Sequence, residues 1–186
     1  GPSGCGKSTL MQIMAGILKP DGGELCYFGK KAAYKSSTFR RFCGYVPQEN
    51  PLMEELTVQD NLKLWGGSHN ANTKELVAQF QLEDLLQTEV SKLSGGMKRR
   101  LSIACALVEN PPFLLMDEPT TALDLYYKES IHQWMKTYQQ KNGIILMTTH
   151  DESEIRNADR CLFMDEGKVQ ELDAEDILQK FAGMSE

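Results

Sequence analysis

The chain has 186 residues, 41% of them hydrophobic and 25% charged, a composition typical of a globular domain with its own core. Its net charge of −6 at pH 7 weighs against a nucleic-acid-binding surface, which is usually basic. No apolar run approaches the ~18 residues that cross a bilayer, so we expect no membrane-spanning helix. The cysteines are odd in number and lack a C-x-x-C pair, which predicts reduced thiols without a disulfide or zinc framework.

Helical and strand patterns alternate along the chain. The apolar spacing and the Gly and Pro turn signals predict helices at residues 8–18, 73–87, 94–110, 125–141 and 174–181. Apolar runs predict strands at residues 24–28, 40–46, 113–116 and 144–148, and a hairpin of 160–164 with 168–171. Residues 49–65 lack a regular pattern, and residues 66–70 are predicted to be a loop. The alternation predicts an α/β fold with a mostly parallel sheet flanked by helices, into which residues 49–110 insert a helical subdomain.

The first nine residues fit the phosphate-binding loop pattern G-x-x-x-x-G-K-[ST]. Glycines let backbone N–H groups surround a phosphate, and the following helix directs its positive dipole end at the same place. Lys7 is expected to reach the β- and γ-phosphates, and the Ser8 hydroxyl to ligate Mg²⁺. The predicted ligands are therefore ATP and Mg²⁺, although the pattern also arises by chance in glycine-rich turns. The predicted phosphate-binding residues are Gly1, Pro2, Ser3, Gly4, Cys5, Gly6, Lys7, Ser8 and Thr9.

This loop ordinarily follows a buried strand, and none precedes it here. We therefore interpret the chain as part of a longer protein whose preceding strand lies in the middle of the sheet.

Two carboxylates follow the apolar run at residues 113–116. Ligands of α/β sheets bind at the carboxyl ends of strands, where this run places Asp117 and Glu118. Asp117 can hold the Mg²⁺ shell, and Glu118 can polarise an attacking water. The alternative is a strand followed by an acidic turn.

A second candidate anion site lies at Ser94, Gly95 and Gly96, where a hydroxyl and two open N–H groups precede a helix. A glycine-bearing loop before a helix is the alternative interpretation. Two anion sites far apart in sequence suggest one nucleotide held between two copies of the chain.

These motifs together resemble the ATP-binding subunit of ABC transporters, a P-loop NTPase family, over nearly the whole chain. The resemblance rests on residues 1–9, Gln48, residues 93–97, residues 113–118, residues 122–124 and His150. It implies a RecA-like core of residues 1–48 and 111–186, with residues 49–110 as the signature subdomain. It also implies a head-to-tail dimer enclosing two ATP molecules.

The resemblance also assigns roles to single residues. Gln48 would touch both the Mg²⁺ and the attacking water, His150 would sense the γ-phosphate, and Asp124 would cross the dimer interface. The implied catalytic set is Glu118, His150 and Gln48. The implied metal set is Ser8, Gln48 and Asp117.

The family resemblance further implies membrane partners. Residues 49–65, with Leu52, Met53 and Leu56, would receive a short helix of a separate transmembrane subunit at the cytoplasmic face of the membrane. The alternative is a loop packed on its own domain. The string at residues 93–101 resembles the ABC-2 type exporter branch, although its Lys98-Arg99-Arg100 run is also typical of a solvated helix face. The remaining histidines, His69 and His132, are predicted to lie at the surface.

Two other functions stay open. A soluble ABC-type ATPase acting on nucleic acid or ribosomes would carry coiled-coil or linker insertions, which we do not find, and no nucleic-acid partner is expected. A non-hydrolysing nucleotide-binding scaffold would not need the Asp117-Glu118 pair. The transported substrate cannot be inferred from these residues.

Overall fold

The computed structural model describes residues 1–67 and 71–183. Helices and strands alternate through most of this range, as the hydrophobic pattern predicted. The helices are α1 (Lys7–Met14), α2 (Ser37–Phe42), α3 (Val58–Leu62), α4 (Ala71–Gln79), α5 (Gly95–Leu107), α6 (Leu125–Gln140), α7 (Glu152–Asn157) and α8 (Ala174–Gly183). The strands are β1 (Cys26–Tyr27), β2 (Lys30–Lys31), β3 (Cys43–Val46), β4 (Phe113–Asp117), β5 (Ile144–Thr148), β6 (Cys161–Asp165) and β7 (Lys168–Leu172).

A parallel sheet in the order β3-β4-β5 lies at the centre. Leu114, Leu115 and Met116 of the middle strand are fully buried, as expected for a strand covered on both faces. β1 pairs with β2 and β6 with β7, both antiparallel. The predicted α/β fold with a parallel sheet and flanking helices is therefore confirmed.

The chain between β3 and β4 is helical and shares the main core. Leu62, Leu82 and Leu101 belong to one hydrophobic cluster that also contains Val46 and Leu114 of the sheet. This shared core holds α5 against the strands, so the residues at the start of α5 have a fixed position relative to the sheet.

Several predicted boundaries were wrong for local backbone reasons. The strand predicted at 40–46 begins only at Cys43, because α2 occupies the preceding residues. The helix predicted at 73–87 ends at Gln79, and Gln81 has a left-handed φ of 53° that no helix continues through. The helix at 8–18 ends at Met14, ahead of Gly16 with φ 73°.

The stretch at 49–65 is more regular than its sequence suggested. It contains α3, whose N-cap Thr57 accepts a hydrogen bond from the Asp60 amide. Of the loop predicted at 66–70, Gly67 ends a π-helical turn, and residues 68–70, His69 included, lie outside the described residues. Helix α7 was not predicted.

Both edges of the parallel sheet lack a strand partner among the described residues, because β3 and β5 each pair only with β4. β5 pairs with β4, but within residues 1–67 and 71–183 its other edge has no strand partner. A cavity of about 560 Å³ lies along this edge and reaches Cys161 and Leu162 of β6. The described helices include none long and apolar enough to cross a membrane. All five cysteines are free in the structure.

Candidate functional site

Three predicted catalytic side chains meet where the parallel strands end. Gln48 follows β3, Glu118 follows β4 and His150 follows β5. Gln48 Nε2 lies 3.5 Å from Glu118 Oε2, and His150 Nε2 lies 3.4 Å from Glu118 Oε1. The sheet therefore brings together groups that are far apart in sequence, with the Glu118 carboxylate between the other two.

The backbone at Glu118 is in an uncommon conformation. Its φ is 46°, in the left-handed region that non-glycine residues rarely adopt. Its N–H lies 3.0 Å from Thr148 Oγ1 and 3.1 Å from Thr148 O, and Thr121 Oγ1 donates to its carboxylate at 3.1 Å. Thr148 Oγ1 also donates to Asp117 Oδ1. Such strain persists only where neighbouring contacts fix it, and it is common at functional sites.

The phosphate-binding loop leads into α1 as predicted. Gly4 and Gly6 have φ of 78° and 106°, conformations that a side chain would oppose. Lys7 Nζ donates to Gly1 O at 2.9 Å and Pro2 O at 2.8 Å, so the ammonium lies over the loop's own backbone.

The loop also lies close to one of the catalytic candidates. Pro2, Ser3 and His150 share the lining of an open cavity of about 590 Å³. The loop therefore faces the strand ends.

The second predicted anion site, called the signature here, consists of Ser94, Gly95 and Gly96 at the start of α5, with Ser94 as the N-cap. Ser94 Oγ accepts a hydrogen bond from Met97 N at 3.3 Å, and the space beside Gly95 is open. Gly96 packs against the ring of Tyr127, whose N–H donates to the N-cap Asp124 at 3.1 Å. Among the described residues, no hydrogen bond or ion pair joins residues 94–96 to residues 1–9. One copy therefore does not bring its two predicted anion sites into contact.

The basic run at residues 98–100 is not a solvated face, so the structure rules out that alternative interpretation of the run. Arg99 and Arg100 are each 4% exposed, and only Lys98 reaches solvent, paired with Glu54. The signal was available in the sequence, because positions 99, 103 and 107 share one helix face through their spacing of four. Ile103 and Leu107 on that face are buried.

His132 was also predicted at the surface, and it is instead bound to a buried carboxylate. Its Nε2 lies 2.8 Å from Oε1 of Glu154, a residue only 3% exposed. Thr120 Oγ1 donates to the same oxygen at 2.6 Å, and Thr149 Oγ1 donates to Oε2. Glu154 thus joins the loops that follow β4 and β5, a role that sequence reasoning missed.

The predicted metal ligands are all oxygen donors. Asp117 ends β4 and Gln48 follows the neighbouring β3, and Ser8 is exposed in the first turn of α1, which packs against β4. Hydroxyl, amide and carboxylate oxygens are the donors Mg²⁺ takes, together with water and phosphate oxygens. The residues present therefore fit this ion.

A protein-family model described as ABC transporter matches residues 1–121 of the chain. The chain belongs to the ABC transporter family. Among its relatives is the Nod factor export ATP-binding protein I of Rhizobium sp. (strain N33), 36% identical over 177 residues that cover 90% of this chain and 58% of the relative. The sulfate/thiosulfate import ATP-binding protein CysA of Xanthomonas campestris pv. campestris is 34% identical over 93% of this chain and 54% of its own length.

Solved ABC cassettes share the fold. The dimeric structure of the ATP-binding cassette MJ0796 bound to ADP and Pi superposes with a TM-score of 0.83 at 30% identity, covering 94% of this chain and 83% of that one. The predicted resemblance to ABC ATP-binding subunits is thereby confirmed. This ABC chain spans little more than half the length of the curated relatives named above.

Proposed function

We propose that this ABC chain binds and hydrolyses ATP between two copies, or between itself and a related chain, and so drives transport through separate transmembrane subunits. The observation that supports this most directly is the convergence of Gln48 and His150 on the Glu118 carboxylate. A carboxylate placed beside a phosphate-binding loop suits the activation of a water for attack on a γ-phosphate.

Each residue has a defined part in this proposal. Lys7 moves from its backbone partners, Gly1 O and Pro2 O, to the phosphates. Glu118 accepts a proton from the attacking water while Gln48 and His150 orient the water and the γ-phosphate. Mg²⁺, held by Ser8, Gln48 and Asp117, would supply charge neutralisation to the phosphates.

The second half of the site is proposed to come from the partner copy. Ser94 and Gly95 are exposed, the space beside Gly95 is open, and neither residue has a described hydrogen bond to residues 1–9 of the same copy, which supports use in another copy. Asp124 would lie at the same interface. Residues 1–48 and 111–186 would form the nucleotide-binding core, and residues 49–110 the signature subdomain.

The membrane partner is proposed to dock on residues 49–65. Asn61, fully buried, donates to Met53 O at 3.0 Å and accepts from Met53 N at 2.9 Å, which fixes this segment. Leu52 packs on the core, whereas the Met53 side chain is 55% exposed. An ordered segment that presents an apolar side chain is suited to receive a short helix at the cytoplasmic face of the membrane.

Export is the direction we favour. The 93–101 string resembles the ABC-2 exporter branch, and several relatives are named for Nod factor export. The sulfate/thiosulfate relative is named for import. Uptake and efflux assays on inside-out vesicles would distinguish the two directions.

The decisive experiment is the solution mass of Glu118→Gln with and without Mg-ATP. We expect ATP to convert monomer into dimer, because binding is intact and hydrolysis is blocked. Phosphate release should fall by about 10²–10⁴-fold. Glu171→Gln, at an exposed carboxylate on β7, should behave like the unmodified chain. A monomer with bound ATP would overturn the shared site and favour a scaffold, and unchanged hydrolysis would remove Glu118 from catalysis.

A further inference from the structure

Arg99 projects from α5 to the ends of two strands of the parallel sheet. Its Nε donates to Pro119 O at 2.9 Å, and its Nη2 donates to Asp117 O at 3.0 Å. Its Nη1 donates to Pro47 O and, at 3.4 Å, to Gln48 O. One guanidinium therefore joins the helix that begins at the signature to the loops that follow β3 and β4.

This side chain is a buried cation held by carbonyl oxygens. Burial lowers the pKa of Arg99 to about 10, with the nearby charge of Asp117 opposing the change, so the group is charged at neutral pH. Within the described residues Arg99 takes part in no ion pair. Replacing it leaves several carbonyl groups without their donors, a costly state in a buried site.

The four carbonyl groups belong to residues at or next to Glu118 and Gln48 in the chain. Asp117 and Pro119 stand on either side of Glu118, the residue with the left-handed φ of 46°. The other two belong to Gln48 and to its predecessor Pro47. Fixing these peptide groups fixes where the Gln48 amide and the Glu118 carboxylate can meet, now at 3.5 Å.

We propose that Arg99 is a positioning residue that sets the geometry of Gln48 and Glu118 from the signature helix. Arg99 does not touch the nucleotide site itself, and it acts through the backbones that it binds. This inference rests on the proposed ATPase function for its kinetic test, but not for its second test by hydrogen exchange.

Arg100 supplies a matched control. It is the next residue of the same helix and has the same 4% exposure. Its Nη1 donates to Phe80 O at 3.0 Å and to Gln81 Oε1 at 3.1 Å, and its Cζ lies 5.1 Å from the centre of the Tyr127 ring. Arg100→Gln therefore removes an equally buried guanidinium that makes no contact with the strand ends.

The kinetic test compares Arg99→Gln, Arg99→Lys and Arg100→Gln in the full-length protein. Arg99→Gln should lower kcat for phosphate release at least about tenfold, while Kd for a fluorescent ATP analogue changes less than about twofold. Arg99→Lys keeps the charge but loses the planar set of guanidinium donors. Its kcat should therefore lie between those of the unmodified protein and Arg99→Gln. Arg100→Gln should keep kcat within about threefold. Equal losses of kcat at both positions, or unchanged kcat in Arg99→Gln, would overturn the proposal.

Amide hydrogen exchange gives the second test, which needs no hydrolysis. Exchange at residues 48, 118, 120 and 121 should accelerate in the Arg99 variants and not in Arg100→Gln. If the unmodified protein releases no phosphate, the proposed function fails, and this exchange pattern still decides the role of Arg99. If both Arg99 variants unfold while Arg100→Gln stays folded, Arg99 is a structural residue and the positioning role is rejected.

Discussion

Tyr127 occupies the space that a side chain at Gly96 would need. A Cβ at Gly96 would lie 2.3 Å from Tyr127 Cδ2, closer than any real packing contact. The second glycine of the signature is therefore required within a single copy of the chain, before any nucleotide is considered. The same tyrosine follows the N-cap Asp124, so the contact also joins the start of α5 to the start of α6.

Gly96→Ala should destabilise the fold, because the added methyl overpacks against Tyr127. The expected loss is about 1–3 kcal/mol in urea unfolding. Tyr127→Ala should recover most of this loss in the double variant, with a coupling energy above about 0.5 kcal/mol. If Gly96 also serves the nucleotide of a partner copy, the double variant regains stability but not hydrolysis. If the losses of unfolding free energy in the two single variants simply add in the double variant, Tyr127 does not oppose the methyl group at position 96.

Glu154→Ala should be among the most destabilising substitutions in the chain. It removes the acceptor shared by Thr120, Thr149 and His132, and leaves those donors buried. We expect a loss of about 3–5 kcal/mol in the free energy of unfolding. Glu154→Gln should lose less, because an amide oxygen still accepts. Glu152→Ala, exposed two residues earlier, is the control and should change stability by less than about 0.5 kcal/mol.

The sequence predicted the sheet and the placement of residues at the strand ends, and the reasons are local. Residues 113–116 and 144–147 are continuous apolar runs followed by polar residues, so both the strands and the positions of Glu118 and His150 could be inferred. The helix predicted from residue 94 onward begins there, with Ser94 as its N-cap. Motifs defined by adjacent residues could therefore be predicted from the sequence.

Contacts between segments that are distant in the chain could not be predicted from local sequence patterns. Arg99 bonds to carbonyls 18–52 positions away in sequence, and Glu154 bonds to Thr120 and His132, 34 and 22 positions away. A charged residue in a helix is usually solvated, so a surface position was one interpretation of the run at 98–100, although the spacing of 99, 103 and 107 is compatible with a buried face. Only the topology reveals that the other face of α5 lies over the strand ends.

Cys105 should make the fold sensitive to alkali. Burial raises the pKa of this thiol to about 12, above its ordinary value of 9.0. The folded chain therefore holds the proton more tightly than the unfolded chain. The resulting stability is complete below about pH 9 and is lost as pH rises toward 12. Between about pH 8 and pH 10 we expect Cys105→Ala to lose about 1 kcal/mol less stability than the unmodified chain.

Urea unfolding at the two pH values checks this prediction. Cys26→Ala, at an exposed cysteine, is the matched control and should follow the unmodified chain. An identical alkaline loss in Cys105→Ala would show that other groups control the response.

Met53→Asp should separate partner binding from ATP chemistry. The side chain is 55% exposed, so we expect unfolding free energy to change by less than about 0.5 kcal/mol. Phosphate release by the isolated protein should stay near normal, while co-purification with the transmembrane subunits falls strongly. Ile17→Asp, at a residue with 52% exposure outside the 49–65 segment, should leave co-purification intact. Undiminished co-purification of Met53→Asp would place the docking surface elsewhere.

The edge of β5 that is unpaired among the described residues can receive another strand. An uncapped strand exposes a row of N–H and C=O groups that can pair with any extended peptide nearby. Here that row borders an apolar cavity, and Ile144 at its start is 48% exposed. An extended segment that pairs with β5 would gain backbone hydrogen bonds along the strand and would bury its side chains against the lining of this cavity.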